Sequence, residues 1–396
     1  MDPIKGFRDF EAEEAEKRQF IKGIIATAFQ RYGFELAETP MIEYEEFVKG
    51  NSNQNPNEQD EAISDTFKLK DKGERNLALR YEFTFQLNRL ARNKKLPYKR
   101  FQIGEVFRDE PASTVRFRQF TQCDADIIGS TIKDEAEVLA MAVDILKKLG
   151  IKFKIYFNNR KLLNELLDQE GIKEKDKPKV IREIDKLDKL PEKVVRVSLA
   201  KFKAEKFINV LNSKESSFKP FQSYKEIEEL EKYCKMYGIE KNIEFKPSLA
   251  RGLSYYNGTI FEIKAIEKEF NETIVAGGSY MINNMQSTGI SFGLERLSII
   301  SALFPKFDKI AIISIDEDKK AVELTKILRD SGKRVTLFYG KPSKALEYAN
   351  SKSFTSAIFI GKDEAKLKKV KVRDLKSGKE KLISEKDLMK ELDAKK

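Results

Sequence analysis

The chain has 396 residues, 40% of them hydrophobic, which allows two or three domains with sizeable cores. No run approaches the length of a membrane span, and the N-terminal MDPIKGFRDFEAEEAEKR lacks an apolar stretch behind a basic start, so a cytoplasmic protein is expected. The net charge is +11, and histidine is absent, which removes any imidazole general base, Ser-His nucleophile or His-bearing metal site; the two cysteines, Cys123 and Cys234, argue for reduced thiols rather than a disulfide frame.

In chain order, Ile21, Ile24, Ile25, Ala28, Phe29 and Tyr32 recur at three- and four-residue steps and predict an amphipathic helix stopped by Gly33. Pro40, in ETPMIE, keeps its strand from being an ordinary central one. Asn51 to Glu61, rich in Asn, Gln and acids, reads as a mobile loop. ALRYEFTFQLNRLAR gives a strand end leading into a helix, with Glu82 and Thr84 at the junction. Residues 131–150 form a helix ending at Gly150, and IKFKIYF is the strand after it. From about 158 to 245 the text turns Lys- and Glu-rich with few glycines and reads as an inserted helical subdomain. FKPSLARGLSYY resumes the first domain, which closes in a helix with Leu294, Leu297 and Ile300 on its core face. After Pro305, IAIISI, a helix through Leu328, VTLFY, a helix through Tyr348, SAIFIG, KVRDL, KEKLI and a last helix make a separate α/β unit. From 306 onward there are 24 Lys and Arg against 15 Asp and Glu, an excess of +9 that reads as a polyanion-binding surface, although solvated helix faces give the same count.

Residues 107 to 126, FRDE, a Pro-containing loop and RFRQFTQCDAD, carry the most chemistry. Read as strand, loop, strand, the second strand places Arg116, Arg118, Phe120, Gln122, Asp124 and Asp126 on one side and Cys123 on the packing side. Such groups are costly to desolvate without partners, so something polar and charged is expected on that face. Arg108 and Arg116 flank the loop, where guanidinium forks suit phosphate oxygens; Phe120 suits a stacked nucleobase; Gln122 and Asp126 suit something smaller with nitrogen donors. Taken alone, the segment fits an edge hairpin with a salt-bridged, solvated face equally well.

Later segments decide between the two. ARGLSYYNGTIFE at 250–262, AGGSY at 276–280 and GISFGLERL at 289–297 follow, and with them the chain resembles the histidyl-tRNA synthetase family of class II aminoacyl-tRNA synthetases. FRDE through RFRQF is similar to that class's motif 2, GISFGLERL to motif 3, and the Pro40 region to motif 1, the dimer motif. RGLSYYNGTIFE and AGGSY resemble the two signatures of the histidine enzymes. The likeness, in family order, covers nearly the whole length apart from the middle insert. It implies an α+β catalytic domain built on an antiparallel sheet over 1–157 and 246–305, a helical insertion domain over 158–245 near the tRNA acceptor arm, and an α/β anticodon-binding domain over 306–396, assembled as a homodimer. It also implies that L-histidine is activated with ATP, accompanied by Mg2+, to histidyl-adenylate with release of pyrophosphate, and is then transferred to the 3′ end of histidine tRNA.

By the same resemblance, Arg108 holds the α-phosphate of ATP, Phe120 stacks on adenine, Arg116 and Arg296 hold the outer phosphates, and Glu110 either contacts the adenine edge or orients the arginines. Arg251 lies across the reacting carboxylate and α-phosphate, neutralising charge as a metal does in many relatives. Glu82, Thr84 and Gln122 match positions that bind the α-amino group; Asp126 and Tyr256 match those reading the two imidazole nitrogens; Tyr280 lines the same pocket. Tyr255, of opposite parity, is expected to pack in the core. The chain departs from the family text at Ser254, where Asp is usual, and in AGGSYM, where GGRYD is usual, so Ser279 lacks a charge and Met281 a carboxylate. Adenylation rests mainly on positioning and charge stabilisation, which a chain without histidine can supply. Such a synthetase would consume none of its own amino acid in its synthesis. The main rival is a synthetase-like, non-catalytic regulatory subunit of ATP phosphoribosyltransferase in histidine biosynthesis. Those relatives tend to lose motif arginines and the complete C-terminal module, whereas Arg108, Arg116, Arg251, Arg296 and a basic tail are all present here. A non-catalytic RNA-binding protein would explain the charge but not the pocket residues.

Overall fold

The structure is a computed structural model that describes residues 1–48, 65–251, 255–266, 270, 272–304 and 308–393. The expected loop at 51–61, Ser254 and Pro305 lie outside the described residues. The chain divides into two compact units, Met1–Phe304 and Pro305–Lys396.

The strands of the first unit are β1 (Glu35–Leu36), β2 (Ile42–Tyr44), β3 (Lys68–Lys70), β4 (Asn76–Leu79), β5 (Tyr98–Phe107), β6 (Gln119–Ile128), β7 (Phe153–Asn159), β8 (Ile243–Phe245), β9 (Tyr256–Ala265), β10 (Thr273–Ile282) and β11 (Met285–Gly293). Eight of them form one sheet in the order β1-β5-β6-β11-β10-β9-β7-β8. The outer pairs β1/β5 and β7/β8 are parallel, and the pairs between them are antiparallel, as the α+β reading requires. Strands β2, β4 and β3 make a small separate sheet, and Pro40 sits in the connection between β1 and β2 rather than inside a strand.

One face of the large sheet packs on helices. The first helix, Ala12–Arg31, buries Ile21, Ile24, Ile25 and Phe29, and Gly33, at φ +80°, supplies the left-handed residue that ends it. Phe29 is fully buried among Phe34, Phe101 and Phe292, with ring centroids 6.2, 5.4 and 5.9 Å away. The helix Ile132–Lys148 starts in a capping box made by Thr131 and Asp134 and buries Val138, Leu139, Ala142, Ile145 and Leu146. A polar tie joins these layers. Arg18 donates to Glu295 at 2.8 Å and to Thr121 Oγ1 at 3.0 Å, while Glu295 also accepts the Thr121 backbone N–H at 3.0 Å. The first helix, the middle of the sheet and the Leu294–Ile300 helix therefore share one buried ion pair.

Between β7 and β8 lie the helices Arg160–Gln169, Lys177–Asp185, Glu192–Ala200, Phe207–Leu211 and Tyr224–Met236. Their buried residues, among them Leu162, Leu166, Ile181, Leu199, Phe207 and Tyr224, belong to the same apolar cluster as the sheet. The insert is helical, as the composition says, and shares its core with the sheet.

The second unit has strands β12 (Lys309–Ser314), β13 (Arg334–Tyr339), β14 (Ser356–Ile360), β15 (Lys369–Asp374) and β16 (Glu380–Ser384) in the order β13-β12-β14-β15-β16. The first three are mutually parallel and the last two antiparallel. Alternation along β12 sends Ile310 and Ile312 to the side of helices Asp318–Asp330 and Leu388–Asp393, and Ala311 and Ile313 to the side of helix Pro342–Ser351. A short helix, Lys362–Lys366, was not legible in the sequence. Among the described residues no helix is long and apolar enough to cross a membrane.

Phe29→Ala removes a ring that nothing nearby can replace. It should cost ~3–5 kcal/mol of first-unit stability in urea denaturation. A loss below about 1 kcal/mol would show that the ring cluster does not hold the first helix to the sheet.

Candidate active site

The face of the large sheet opposite the helices floors an open cavity of about 610 Å³. Every site residue expected from the sequence lines it: Glu82, Thr84, Arg108, Glu110, Arg116, Phe120, Gln122, Asp126, Arg251, Tyr256, Tyr280 and Arg296. Strand β6 explains much of this. Phe120, Gln122, Asp124 and Asp126 face the cavity, while Thr121, Cys123, Ala125 and Ile127 are fully buried on the helix side.

The alternation does not extend back before Gln119. Arg116 and Arg118 precede β6 in the loop, where the pleat no longer dictates direction. Arg116 still reaches the cavity and pairs with Glu110 at 3.2 Å. Arg118 does not join it, because it pairs with Asp109 and lies 4.7 Å over the Phe67 ring.

One end of the cavity is cationic. The Arg108 guanidinium stands 4.2 Å over the Tyr81 ring and 5.1 Å over that of Phe120. Arg296 donates to the Thr273 carbonyl at 2.5 Å and pairs with Glu272 at 3.2 Å. Burial lowers the Arg296 pKa; Glu272 opposes this, and Arg116 and Arg108 nearby add to it. An anion among these guanidiniums would relieve their mutual repulsion. Arg251 pairs with Glu262 at 2.5 Å, and Glu262 also accepts from Thr273 Oγ1 at 3.0 Å. Burial works against the Arg251 charge, but Glu262 and Tyr256 outweigh it and hold the guanidinium above its ordinary value. Arg251 is therefore a fixed, permanently charged donor.

The other end is lined by carboxyls and phenols. The Tyr280 hydroxyl donates to Asp126 Oδ1, and Asp126 Oδ2 lies 3.0 Å from Arg100, a fully buried guanidinium on β5. Burial raises Asp126, while Arg100 and Tyr280 hold it down. A Cβ at Gly289 would stand 2.3 Å from Asp126 Oδ1 and 2.9 Å from the Tyr280 hydroxyl, so the glycine of GISFG is what lets these groups meet. Gly278 does the same for Tyr256, whose ring a Cβ would approach to 2.9 Å. Tyr256 and Tyr280 are both raised by burial and so remain hydroxyl donors. Asp124, between Gln122 and Asp126 along β6, is pushed up to about 8 by burial and by Asp126.

Tyr255 departs from expectation. It lines the cavity and donates to Glu82 at 3.3 Å, because it lies just before β9 begins and strand parity does not govern it. Sequence reasoning puts Asp124 on the cavity face without giving it a role, and it misses Arg100, Glu262 and Glu295 as parts of the site. Hairpin register could have found the first, since pairing Phe107 with Gln119 places Arg100 opposite Asp126.

Ser279, where the usual family text has Arg, faces away from the cavity. Its hydroxyl donates to Glu135 on the helix Ile132–Lys148, and both groups are buried. Glu135 is raised to about 7 by burial, against the hydrogen bonds from Ser279 and Thr259. Met281 is half-exposed and absent from the cavity lining. These two departures leave the cavity wall itself unchanged.

Known proteins resemble this chain over nearly its whole length. Residues 6–297 match the family model described as histidyl-tRNA synthetase, and residues 309–395 match one described as anticodon binding domain. Histidine-tRNA ligase 1 of Bacillus cereus (strain ATCC 10987 / NRS 248) is 32% identical over 417 residues, covering 96% of this chain and 94% of that protein. The histidine-tRNA ligase of Wolinella succinogenes is 31% identical over 96% of this chain and 94% of that protein. Among solved structures, histidyl-tRNA synthetase from Nostoc sp. PCC 7120 superposes with a TM-score of 0.85 at 25% identity, covering 100% of this chain and 99% of that one. An ATP phosphoribosyltransferase regulatory subunit/histidyl-tRNA synthetase from Bacillus halodurans C shares the fold, with a TM-score of 0.74 at 21% identity over 90% of this chain and 97% of that one.

Glu135 makes a testable contribution to stability. Its pKa is higher folded than unfolded, so the folded state binds the extra proton, and stability falls as pH rises from about 4.5 towards 7. Glu135→Gln should therefore raise the melting temperature more at pH 8 than at pH 5. An equal change at both pH values would mean that Glu135 is not buried against its preference.

Proposed function

The chain belongs to the histidyl-tRNA synthetase family, and on that premise we propose that it activates L-histidine with ATP and transfers it to histidine tRNA. The observation that carries this reading is the division of one cavity into an arginine end and a carboxyl-phenol end, with Arg251 lining the same cavity. In this reading Arg108, Arg116 and Arg296 hold the ATP phosphates, Phe120 stacks on adenine, and Glu110 keeps Arg116 in place. Glu82, Thr84 and Gln122 receive the α-amino group, while Tyr256, Tyr280 and Asp126 form the imidazole end. Magnesium enters as part of the nucleotide substrate.

Histidine's carboxylate attacks the α-phosphorus, the bond from that phosphorus to the bridging oxygen breaks, and pyrophosphate leaves. Charge builds on the pentacoordinate centre, where Arg251 and Arg108 are preorganised donors. No side chain needs to take a proton in this step, because the attacking carboxylate is already ionised. The tRNA hydroxyl then attacks the carbonyl, the bond from the carbonyl carbon to the phosphate oxygen breaks, and AMP leaves as the hydroxyl proton passes to the departing phosphate.

The second unit, with its +9 excess, reads the anticodon arm. We assign the assembly as a homodimer through the motif 1 region, where Leu36, Ile42 and Tyr44 are exposed at 60%, 50% and 51%. We place the protein in the cytoplasm, where its tRNA is. The regulatory-subunit reading is not favoured, because the motif arginines line the cavity and an anticodon-type unit is present.

Purified protein should exchange pyrophosphate into ATP only when histidine is supplied; absence of exchange together with binding to a phosphoribosyltransferase would overturn the assignment. Arg251→Ala should lower the exchange rate ~10²–10³-fold with the fold intact. A few-fold effect would remove Arg251 from the reaction centre. Truncation after Phe304 should keep substantial exchange but lose most charging of histidine tRNA and flatten the salt dependence of tRNA binding. Undiminished charging by the folded truncation would separate the second unit from tRNA.

A further inference from the structure

Arg118 belongs to the motif 2 segment yet does not line the cavity, and its contacts show what it does instead. Its backbone N–H donates to the Gly6 carbonyl at 2.8 Å, and the next N–H, of Gln119, reaches the same oxygen at 3.4 Å. Its own carbonyl accepts the Arg108 N–H at 2.8 Å, and its guanidinium pairs with Asp109, whose N–H donates to the Asp65 carbonyl at 2.7 Å. The hairpin is therefore pinned where its loop leaves the sheet, and that loop carries Glu110 and Arg116 into the cavity wall.

The N-terminal segment is shaped for this contact. The Phe7 N–H closes a turn onto the Ile4 carbonyl at 2.8 Å, and Gly6, the third residue of that turn, has φ +87°, where a side chain is strained. A Cβ at Gly6 would stand 2.6, 2.7 and 3.0 Å from Cγ, Cδ and Cβ of Arg118, so a glycine is what lets the carbonyl reach the base of the loop. Phe7 packs edge-on against Phe67, with ring centroids 5.9 Å apart, and the Arg118 guanidinium lies over that same Phe67 ring. Phe10 holds the Arg18 guanidinium 3.8 Å over its ring, so the other end of the segment rests on the ion pair with Glu295, the residue before Arg296.

Resting on the function proposed above, we propose that residues 4–10 are a positioning strap for the nucleotide end of the site, with Gly6 and Arg118 as positioning residues that set the loop whose Arg108 and Arg116 meet the ATP phosphates. Neither Gly6 nor Arg118 lines the cavity. A misplacement of about 1 Å far from the chemistry can cost ~10²-fold in rate, so a change at Gly6 is felt at the phosphates through geometry. The carboxyl-phenol end lies further along β6, at Gln122 to Asp126, where β5 and β11 hold the strand on both sides. The two substrates therefore depend on the strap differently, ATP strongly and the amino acid little.

The test is Gly6→Ala in the full chain, read by calorimetric titration with ATP and with histidine separately, and by the KM of each in pyrophosphate exchange. ATP binding should weaken about tenfold to a hundredfold, the equivalent of one charge-assisted hydrogen bond, while histidine binding stays as in wild type. Phe7→Ala, which keeps the turn and loses only the ring on Phe67, should shift ATP in the same direction by less, and it serves alone if Gly6→Ala does not fold. Arg118→Ala should also weaken ATP, and the double variant Gly6→Ala/Arg118→Ala should be no weaker than the more affected single one, because both changes act on one loop. Equal losses for ATP and histidine would make the segment merely structural and overturn the proposal, as would unchanged ATP binding or additive losses in the double variant. A wild type that binds ATP but shows no histidine-dependent exchange would instead strike the function, and the strap would then stand or fall on the ATP titrations.

Discussion

The register of β6 against β5 and β11 is the constraint on which the site depends. Side chains alternate with a period of two, so a one-residue slip would send Phe120, Gln122, Asp124 and Asp126 into the helix layer and Thr121, Cys123, Ala125 and Ile127 into the cavity. The apolar set on one face and the polar set on the other make that slip costly in both directions. Glu295 adds a pin, since its carboxylate takes the Thr121 N–H and the Arg18 guanidinium together. Motif 3 thus supplies Arg296 to the cavity and, one residue earlier, fixes the strand that carries the opposite wall.

That register also sets the electrostatics. Along one strand face the cavity passes from an aromatic ring shared with Arg108, through an amide, to two carboxyls. Each end holds charge that is only partly compensated. Arg296 is depressed by burial with Arg108 and Arg116 close by, and Asp124 is raised by burial beside Asp126. A ligand anionic at one end and donating nitrogen hydrogens at the other relieves both, so the site's polarity orients its substrates before any specific contact is counted.

What the sequence made legible follows from where regular geometry holds. The first helix, the tail's strands and helices, and the cavity face of β6 come straight from period and parity. Parity misled at strand ends. Arg118 was placed on the cavity face by extending the pleat through a loop, and Tyr255 was assigned to the core although β9 starts one residue later. A register shift between Gly278 and Tyr280 in the β10/β9 pairing shows that this corner is irregular, and no local pattern announces it. Arg100 was invisible for another reason: its role comes from a partner 26 positions away, which a hairpin register supplies and a linear pattern does not. The surroundings of each charged group are likewise a property of packing alone: Asp126 meets Tyr280 and Arg100, where Asp124 meets Ser291.

The absence of histidine gives the chemistry its last constraint. Ordinarily an imidazole carries proton sensitivity near neutrality, but among the side chains here that role can fall only to groups shifted by their surroundings. Among the described residues two carboxyls are shifted that far, on opposite faces of the sheet: Asp124 in the cavity, up to about 8, and Glu135 behind it, up to about 7. Both are raised chiefly by desolvation, so both respond to anything that brings a donor or a cation to them. For Glu135 the donors are Ser279 and Thr259. Asp124 lines the cavity and takes its hydrogen bond from Ser291, so a ligand that brings a further donor or a cation beside it lowers its pKa, and the protonation of the wall and the occupancy of the site become linked quantities. A synthetase without its own imidazoles would then meet that ring in one place, on the amino acid it selects.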